Sequence, residues 1–568
     1  KFNFRNQIQK LVDADVLGYL IEDFIDPDVN LSPLPVKDED GRIKYPALDN
    51  HGMGTVFEEL IRRFNEDNNE EAGEHFTPRD VVQLMARLLF LPVSELIESS
   101  TYSLYDGSCG TGGMLTVAEE ALQELAEEHG KEVSIHLFGQ EISDETYAIC
   151  KADLLLKGEG EEAENIVGGA DKSTLSADQF SSREFDFMIS NPPYGKSWKT
   201  DLDRMGGKKN FSDPRFIVNH GGNAEYKLIT RSSDGQLMFL VNKLQKMKHN
   251  TALGSRIALV HNGSALFTGD AGQGESNIRR WVLENDWLEA IIALPLNIFY
   301  NTGIATYIWV LSNHKPAERK GKVLLINASD LHTPMRKSLG SKRKQLSDEA
   351  INEIVALYSR YEASPIAKIF PTSAFGYRRI TVERPLKLAF YPHDAERLAS
   401  LQADKGWQKL DASLQAAILA ALPQLPEQLL CREQFKKQLT KALGATKLPA
   451  PALKLLINTF GEQNDDAKVC ISKGEPEASS ELRDYENVPL GEDIHAYLER
   501  EVLPHVPDAW IDVSKTDALD GQVGIVGYEI PFNRHFYQYQ PPRPLAEIDA
   551  DLDAVAKEIM QLLAEVHS

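Results

Sequence analysis

Apolar residues along the chain recur with two periods, and their order predicts strands alternating with helices. Leu11, Val12, Val16, Leu20 and Phe24 keep near-helical spacing, so the chain up to about residue 24 is predicted helical. A polar, proline-containing stretch over 26–50 follows, then a second helical pattern over 53–64 and an acidic run over 66–71. Thr77 and Pro78 are placed as N-cap and first residue of a helix over 79–89. Beyond it come a strand over 102–105, a helix to about 128, a strand over 134–138, a helix over 144–157 and a third strand over 166–171. The apolar run 185–190 is a buried strand that must stop at Asn191-Pro192-Pro193-Tyr194, because two prolines cannot continue a ladder. A helix over 236–248 and strands over 256–261, 288–293, 306–312 and 322–327 complete an α/β sheet pattern.

From about residue 385 the pattern changes. Ala/Leu/Gln-rich helices run to about 454, and a polar segment follows to 484. Residues 528–539 are aromatic-rich, and Pro541-Pro542-Arg543-Pro544 is a stiff linker. In the last helix Leu545, Ile548, Leu552, Val555, Ile559, Leu562 and Val566 step alternately by 3 and 4. That heptad seam suits packing on partner helices, although a helix folded onto its own domain gives the same pattern.

Composition narrows the class. With 568 residues, two to four domains are expected, and 42% hydrophobic with 26% charged residues is the balance of a soluble globular protein. No apolar stretch is long enough to span a membrane and no secretory signal opens the chain, which begins at Lys1 rather than Met. Cys109, Cys150, Cys431 and Cys470 are far apart, which argues against a zinc site or a disulfide framework and fits the cytoplasm. No metal-ligand cluster is evident. The net charge is −24, from 61 Lys and Arg against 85 Asp and Glu. A protein that held nucleic acid alone would usually be basic, so DNA work here needs a local basic cleft, a partner, or both.

Candidate chemistry gathers at predicted strand ends, where open α/β sheets bind ligands. Asn191 is held extended before Pro192 with its amide beyond the sheet. Alone, that tetrapeptide is equally a turn. Upstream, strand, glycine turn and helix surround Asp106-Gly107-Ser108-Cys109-Gly110-Thr111-Gly112-Gly113, a nucleotide-binding unit lacking both the G-x-G-x-x-G and the G-K-[ST] of phosphate loops. Asp at its head suits a ligand with a cationic amino group and no phosphate. Glu141 and Asp171 are singly surface carboxylates; at successive strand ends they form an adenosine site. Glu74-His75-Phe76-Thr77-Pro78-Arg79 is either an ordinary capped helix start or the frame of a ligand. Lys196, Lys199, Arg204, Lys208 and Lys209 follow the tetrapeptide beside Trp198, either as a surface loop or as contacts to the DNA backbone. Arg336-Lys337 and Lys342-Arg343-Lys344 form a second basic patch, equally suited to phosphates or to water.

The run Asp-Gly-Ser-Cys-Gly-Thr-Gly-Gly-Met-Leu followed by Asn-Pro-Pro-Tyr resembles the S-adenosylmethionine-dependent amino-methyltransferases of DNA. Gly73-Glu74-His75-Phe76-Thr77-Pro78-Arg79 ahead of both resembles the gamma arrangement of the adenine-N6 enzymes. Further stretches resemble the modification subunits of type I restriction–modification systems: Gly52-Met53-Gly54-Thr55-Val56-Phe57-Glu58-Glu59-Leu60, residues 291–304, and Gly376-Tyr377-Arg378-Arg379-Ile380. The likeness covers roughly 4–388, and 510–566 more loosely.

The resemblance implies a Rossmann-like S-adenosylmethionine-dependent methyltransferase sheet flanked by helices. It implies a helical N-terminal region over 1–72 shortened ahead of Lys1, the methyltransferase domain over 73–384, a mostly helical region over 385–540, and a partner-docking helix over 541–568. Asp106 and residues 107–113 would hold the methionine part of S-adenosyl-L-methionine, Glu141 its ribose and Asp171 its adenine, with residues 74–79 closing over it. Asn191 and the Pro192 carbonyl would accept the two hydrogens of adenine N6, Pro193 would stiffen the loop, and Tyr194 would stack on a flipped base. The implied partners are DNA, a DNA-specificity subunit carrying two copies of this chain, and a restriction subunit with nuclease and translocase activity. Two other readings stay open: methylation of another planar nitrogen, in protein glutamine or RNA guanine, and an inactive methyltransferase-fold scaffold.

Overall fold

The apolar runs become strands buried on both faces, the condition a mostly parallel sheet imposes. The computed structural model describes residues 5–26, 29–32, 34–48, 77–157, 160–300, 302–537, 539 and 544–566. Glu74, His75, Phe76 and the 52–60 stretch lie outside the described residues. Nine strands make the central sheet: β1 Thr101–Asp106, β2 Ser134–Glu141, β3 Ile166–Gly168, β4 Phe187–Ser190, β5 Arg256–Asn262, β6 Leu288–Ala293, β7 Thr306–Ser312, β8 Lys322–Asn327 and β9 Ala367–Pro371. Their order is β9-β8-β6-β7-β5-β4-β1-β2-β3. Strands β1 to β5 pair in parallel, and β7 runs antiparallel between β5 and β6. This is the α/β methyltransferase sheet that the sequence leads one to expect. The order reverses between β1 and β4, which puts a ligand crevice at their carboxyl ends.

Alternate strand residues enter two cores, as the strand period of two requires. Leu104, Phe187, Ile189, Ala258 and Val260 face one core; Tyr105, Met188, Ile257 and Leu259 face the other. Helices α1 Arg5–Asp13 and α2 Leu17–Phe24 open the chain. Helices α3 Arg79–Phe90, α4 Gly113–Glu128, α5 Asp144–Lys157 and α7 Asp348–Arg360 lie on the first face, and α6 Gln236–Leu244 on the second. The end of α3 is tied to the sheet by a buried charge cluster. Arg256 Nε donates to the Leu89 carbonyl at 2.8 Å, while Glu289 bridges Arg256 at 2.9 Å and Arg319 at 2.8 Å.

Several expectations need correction. The N-terminal helical segment is two helices, because Asp15 takes a left-handed φ of 56° that a continuing helix excludes. Pro78, not Thr77, occupies the N-cap position of α3, which leaves the Thr77 side chain free for a distant contact. The 236–248 helix stops at Leu244. The second basic patch is a hairpin of Thr333–Leu339 and Lys342–Gln345, in which Lys342 is buried and paired with Asp80 at 3.2 Å.

Beyond the sheet, helices α8 Ala395–Ala403, α9 Ala412–Ala421, α10 Arg432–Leu443 and α11 Ala450–Phe460 enclose their own core. The helical description ends there. Strand β10 Gly376–Glu383 pairs with β11 Asp484–Pro489, β12 Trp510–Ile511 and β13 Ile525–Tyr528. A four-stranded sheet therefore crosses the boundary expected at 384, because strands far apart in sequence supply its ladders. Helix α12 Leu545–Val566 closes the described chain. No helix among the described residues is long and apolar enough to cross a membrane.

Candidate active site

A cavity of about 280 Å³ opens at the carboxyl ends of β1, β2 and β4. The glycine loop forms its floor, and two of its glycines are required sterically. A Cβ on Gly107 would stand 2.7 Å from Tyr105 Oη. Gly112 has a φ of +87°, and a Cβ there would stand 2.6 Å from Cys150 Sγ. Glu141 holds the loop from the next strand: Gly110 N donates to its Oε2 at 2.9 Å and Ser143 N to its Oε1 at 2.8 Å. The neighbouring Cys150 thiol and burial push the Cys109 thiol well up, so it stays neutral.

Asp106 is fully buried beneath this floor and is not among the residues lining the cavity, where the resemblance would put it. Its Oδ1 accepts from Ser108 N at 2.9 Å and from the Ser190 hydroxyl. The two serine hydroxyls lie 2.8 Å apart. Asp106 thus ties the loop after β1 to the residue just ahead of Asn191. Burial raises its carboxyl, while Lys243 and Ser190 oppose the rise.

Asn191 stands at the wall. Its Nδ2 donates to Thr77 Oγ1 at 3.1 Å, and its buried Oδ1 has no partner among the described residues. Thr77, Arg79, Pro193 and Lys196 also line the cavity. Pro192 is buried, and Tyr194 is half-buried against the first core without joining the lining. Asp171 is exposed and stands outside the lining; Ser173, Thr174 and Leu175 line it instead. Lys199, Arg204, Lys208 and Lys209 are exposed on two short helices, Lys199–Arg204 and Gly207–Asn210. The chain leading to them is anchored: Gly195 N donates to Asp234 Oδ1 at 3.2 Å, and Trp198 N to the Ser232 carbonyl at 3.0 Å.

The family question is decided over more than half of the chain: the family model for N-6 DNA methylases matches residues 48–373. The chain belongs to the N-6 DNA methylase family. The MjaIX type I restriction enzyme methylase subunit of Methanocaldococcus jannaschii is 27% identical over 319 residues, which are 55% of this chain and 49% of that protein. The MjaVII methylase subunit of the same organism is 30% identical over 322 residues, 56% of this chain and 49% of that one. The chain spans about half the length of the curated relatives it matches. Among solved structures, a type I restriction–modification methyltransferase subunit from Streptococcus thermophilus is 25% identical, covers 58% of this chain and 61% of its own, and has a TM-score of 0.46.

Within this family member, the cavity also takes in residues to which the sequence reading assigned no role. Val82, Met114, Val117, Ile142 and Leu175 give the cavity an apolar wall, and Phe239 and Trp198 give it two aromatic rings. Gln140, fully buried, reaches the Lys172 and Ala177 carbonyls at 2.9 and 3.1 Å and shapes the segment that carries Ser173 and Thr174. The one hint in the sequence was position: Gln140 is a polar residue one place before the end of an apolar strand. No group of three or more His, Cys, Asp or Glu among the described residues is arranged to hold a metal ion.

Proposed function

We propose that this chain transfers a methyl group from S-adenosylmethionine to N6 of adenine in DNA, as the modification subunit of a type I restriction–modification assembly. The observation that carries the reading is Asn191 Oδ1, a buried acceptor without a partner among the described residues, at the wall of a cavity beside a glycine loop. A buried polar atom left unsatisfied asks for a ligand that donates to it.

The residues present fit the cofactor. Gly107, Gly110 and Gly113 let the backbone approach it, Glu141 offers carboxylate oxygens to hydroxyl donors, and the apolar wall suits a purine ring. When bound, S-adenosylmethionine supplies an electrophilic methyl group on sulfur. Everything else falls to the protein. Asn191 Oδ1 and the Pro192 carbonyl accept the two N6 hydrogens, which draws the nitrogen lone pair out of the ring and leaves it free to attack. These acceptors stabilise charge that appears only in the transition state. Thr77 and the two prolines preorganise them, so little reorganisation remains at the moment of transfer. Adenine within a duplex is out of reach and must be flipped out, and Tyr194 is the aromatic assigned to stack on it. Phe239 presents a further ring in the lining itself. Lys196, Lys199, Arg204, Lys208 and Lys209 are assigned to phosphates.

Sequence choice is assigned elsewhere. A net charge of −24 disfavours strong DNA binding by the chain alone. A specificity subunit, docked through α12 and carrying two copies of this chain, would supply it, with a restriction subunit completing a cytoplasmic assembly. The deciding experiment combines the purified chain, labelled S-adenosylmethionine and DNA, with and without a specificity subunit. Label at adenine N6 that is lost in Asn191→Ala, while cofactor binding persists, supports the reading. Label in protein glutamine or RNA but not in DNA adenine refutes it.

A further inference from the structure

Beneath the glycine loop, several buried polar atoms have no hydrogen-bond partner among the described residues. They include Tyr105 Oη and Asp106 Oδ2 at the end of β1, Lys243 Nζ on α6 and His261 Nε2 on β5. Lys243 is the unusual member, a lysine with no exposed surface. Helix side chains tilt towards the helix N-terminus. From the last turn of α6, Lys243 therefore runs up between helix and sheet towards the strand ends. Its ammonium lies 5.6 Å from the centre of the ring of Tyr105, the residue that precedes Asp106 in β1.

A buried cation persists only if a counter-charge is near. The other carboxylates around it are already engaged. Asp178 Oδ2 takes Lys246 at 2.6 Å and Arg215 at 3.1 Å, and its Oδ1 takes Phe180 N at 2.9 Å. Glu141 gives one oxygen to Gly110 N and the other to Ser143 N. Of these three carboxylates, Asp106 is the one with an oxygen that has no hydrogen-bond partner among the described residues.

We propose that Lys243 is the positioning residue of this site: its ammonium is the counter-charge of Asp106 and, through that carboxylate, fixes the glycine loop against Ser190 and the adjoining Asn191. The inference rests on the cavity being the S-adenosylmethionine site. Lys243 Nζ and Asp106 Oδ2 make no direct hydrogen bond, and the pairing acts across the short buried gap between them. A buried carboxylate stripped of its counter-charge is costly to keep charged where it stands, so it no longer holds Ser108 N and the Ser190 hydroxyl in place.

A consequence in pH follows. The charged and titratable groups facing Lys243 are Tyr105, Asp106 and Cys109 from β1 and its loop, Asp178 from the segment before β4, Lys246 from beyond α6, and His261 from β5; burial pushes the Tyr105 hydroxyl well up, so it stays neutral across this range. Burial lowers the Lys243 ammonium to about 8, against the pull of Asp106. Above that pH the counter-charge is lost.

The test measures binding of labelled S-adenosylmethionine to the full chain, without DNA, from pH 6.5 to 9.5. Wild-type affinity should fall about tenfold from neutral to the alkaline end, as a single proton is lost. Lys243→Met should bind about tenfold more weakly at pH 7 and lose the alkaline fall. Lys243→Arg should recover the pH 7 affinity and bind steadily through pH 9.5, since guanidinium keeps its proton. Both variants with wild-type affinity and an unchanged alkaline fall would overturn the proposal. A second measurement needs no change at residue 243: the ammonium is titrated by NMR in wild type and in Asp106→Asn. A lower midpoint in Asp106→Asn supports the pairing; an identical midpoint overturns it. A wild-type chain that binds no S-adenosylmethionine at any pH refutes the cofactor reading instead, and the NMR comparison still decides the pairing.

Discussion

Asn191 Nδ2 donates to Thr77 Oγ1 at 3.1 Å, across 114 residues of sequence. The Thr77 hydroxyl spends its own proton on Met114 Sδ at 3.4 Å, so it meets Asn191 as an acceptor. That polarity orients the Asn191 amide, whose oxygen has no partner among the described residues. Thr77→Val keeps the shape and removes the acceptor. Methyl transfer in single-turnover assays should slow roughly tenfold, the worth of one such hydrogen bond. Cofactor binding should change far less, and Thr77→Ser should recover most of the rate. Equal loss of rate and of cofactor binding in Thr77→Val would remove this role.

Gly112→Ala tests the loop's geometry. The residue needs a left-handed φ of +87°, and the new methyl would stand 2.6 Å from the buried Cys150 sulfur. Strain and overpacking together should cost about 3 kcal/mol, read as a lower urea midpoint at constant slope. Cys150→Ala in the same chain relieves the contact but not the backbone strain, so it should restore part of the loss. Full restoration would show that the backbone conformation costs nothing.

How far the sequence led can be judged on particular residues. Strands 288–293, 306–312 and 322–327 and helix Asp144–Lys157 were legible because burial on both faces, or on one stripe, writes itself into local apolar spacing. The loop at Asp106 and the tetrapeptide at Asn191 were legible because glycines and prolines mark special backbone. What stayed hidden depended on tertiary neighbours. Thr77 looks like a cap until its partner at 191 is known. Phe239 and Lys243 lie on one helix, and only the packing of α6 sends the first to the cavity and the second beneath it. The pairing of β10 with strands 484–528 joins segments more than a hundred residues apart, which no local window contains.

Acid should unfold the chain in two stages with different causes. Burial lowers the His261 imidazole to about 3, so it is neutral in the fold while the unfolded chain takes up a proton below about 6.5. The unfolded state then binds more protons, and stability falls by about 2 kcal/mol between pH 6.5 and 5. Glu289 acts lower down. Burial would raise its carboxyl, but Arg256 and Arg319 outweigh burial and hold it below the ordinary 4.5. Its contribution is present above that value and is lost as pH falls through the depressed one. Urea midpoints measured against pH should show both limbs. His261→Gln should flatten the first and spare the second. Glu289→Gln breaks the buried cluster and should cost 3 kcal/mol or more, by analogy with other broken buried pairs, roughly 3–5 kcal/mol.

The last helix gives the prediction with the widest reach. In α12 the seam residues Leu545, Ile548, Leu552, Val555 and Ile559 all stay exposed, Leu545 at 78% and Leu552 at 62%. A helix with an uncovered apolar stripe draws little support from propensity alone. Covered by a partner helix, each buried leucine contributes on the order of 2 kcal/mol, enough across a seam to hold a subunit. Replacing Leu552 and Val555 by Asp puts charge on the stripe without shortening the chain. By size-exclusion chromatography with a specificity subunit, the double variant should run free while wild type runs as a complex. S-adenosylmethionine binding should be unchanged, because the cavity and α12 share no residue. Retained assembly would show that the stripe is not the docking surface. Lost assembly together with lost cofactor binding would show that α12 supports the methyltransferase fold itself.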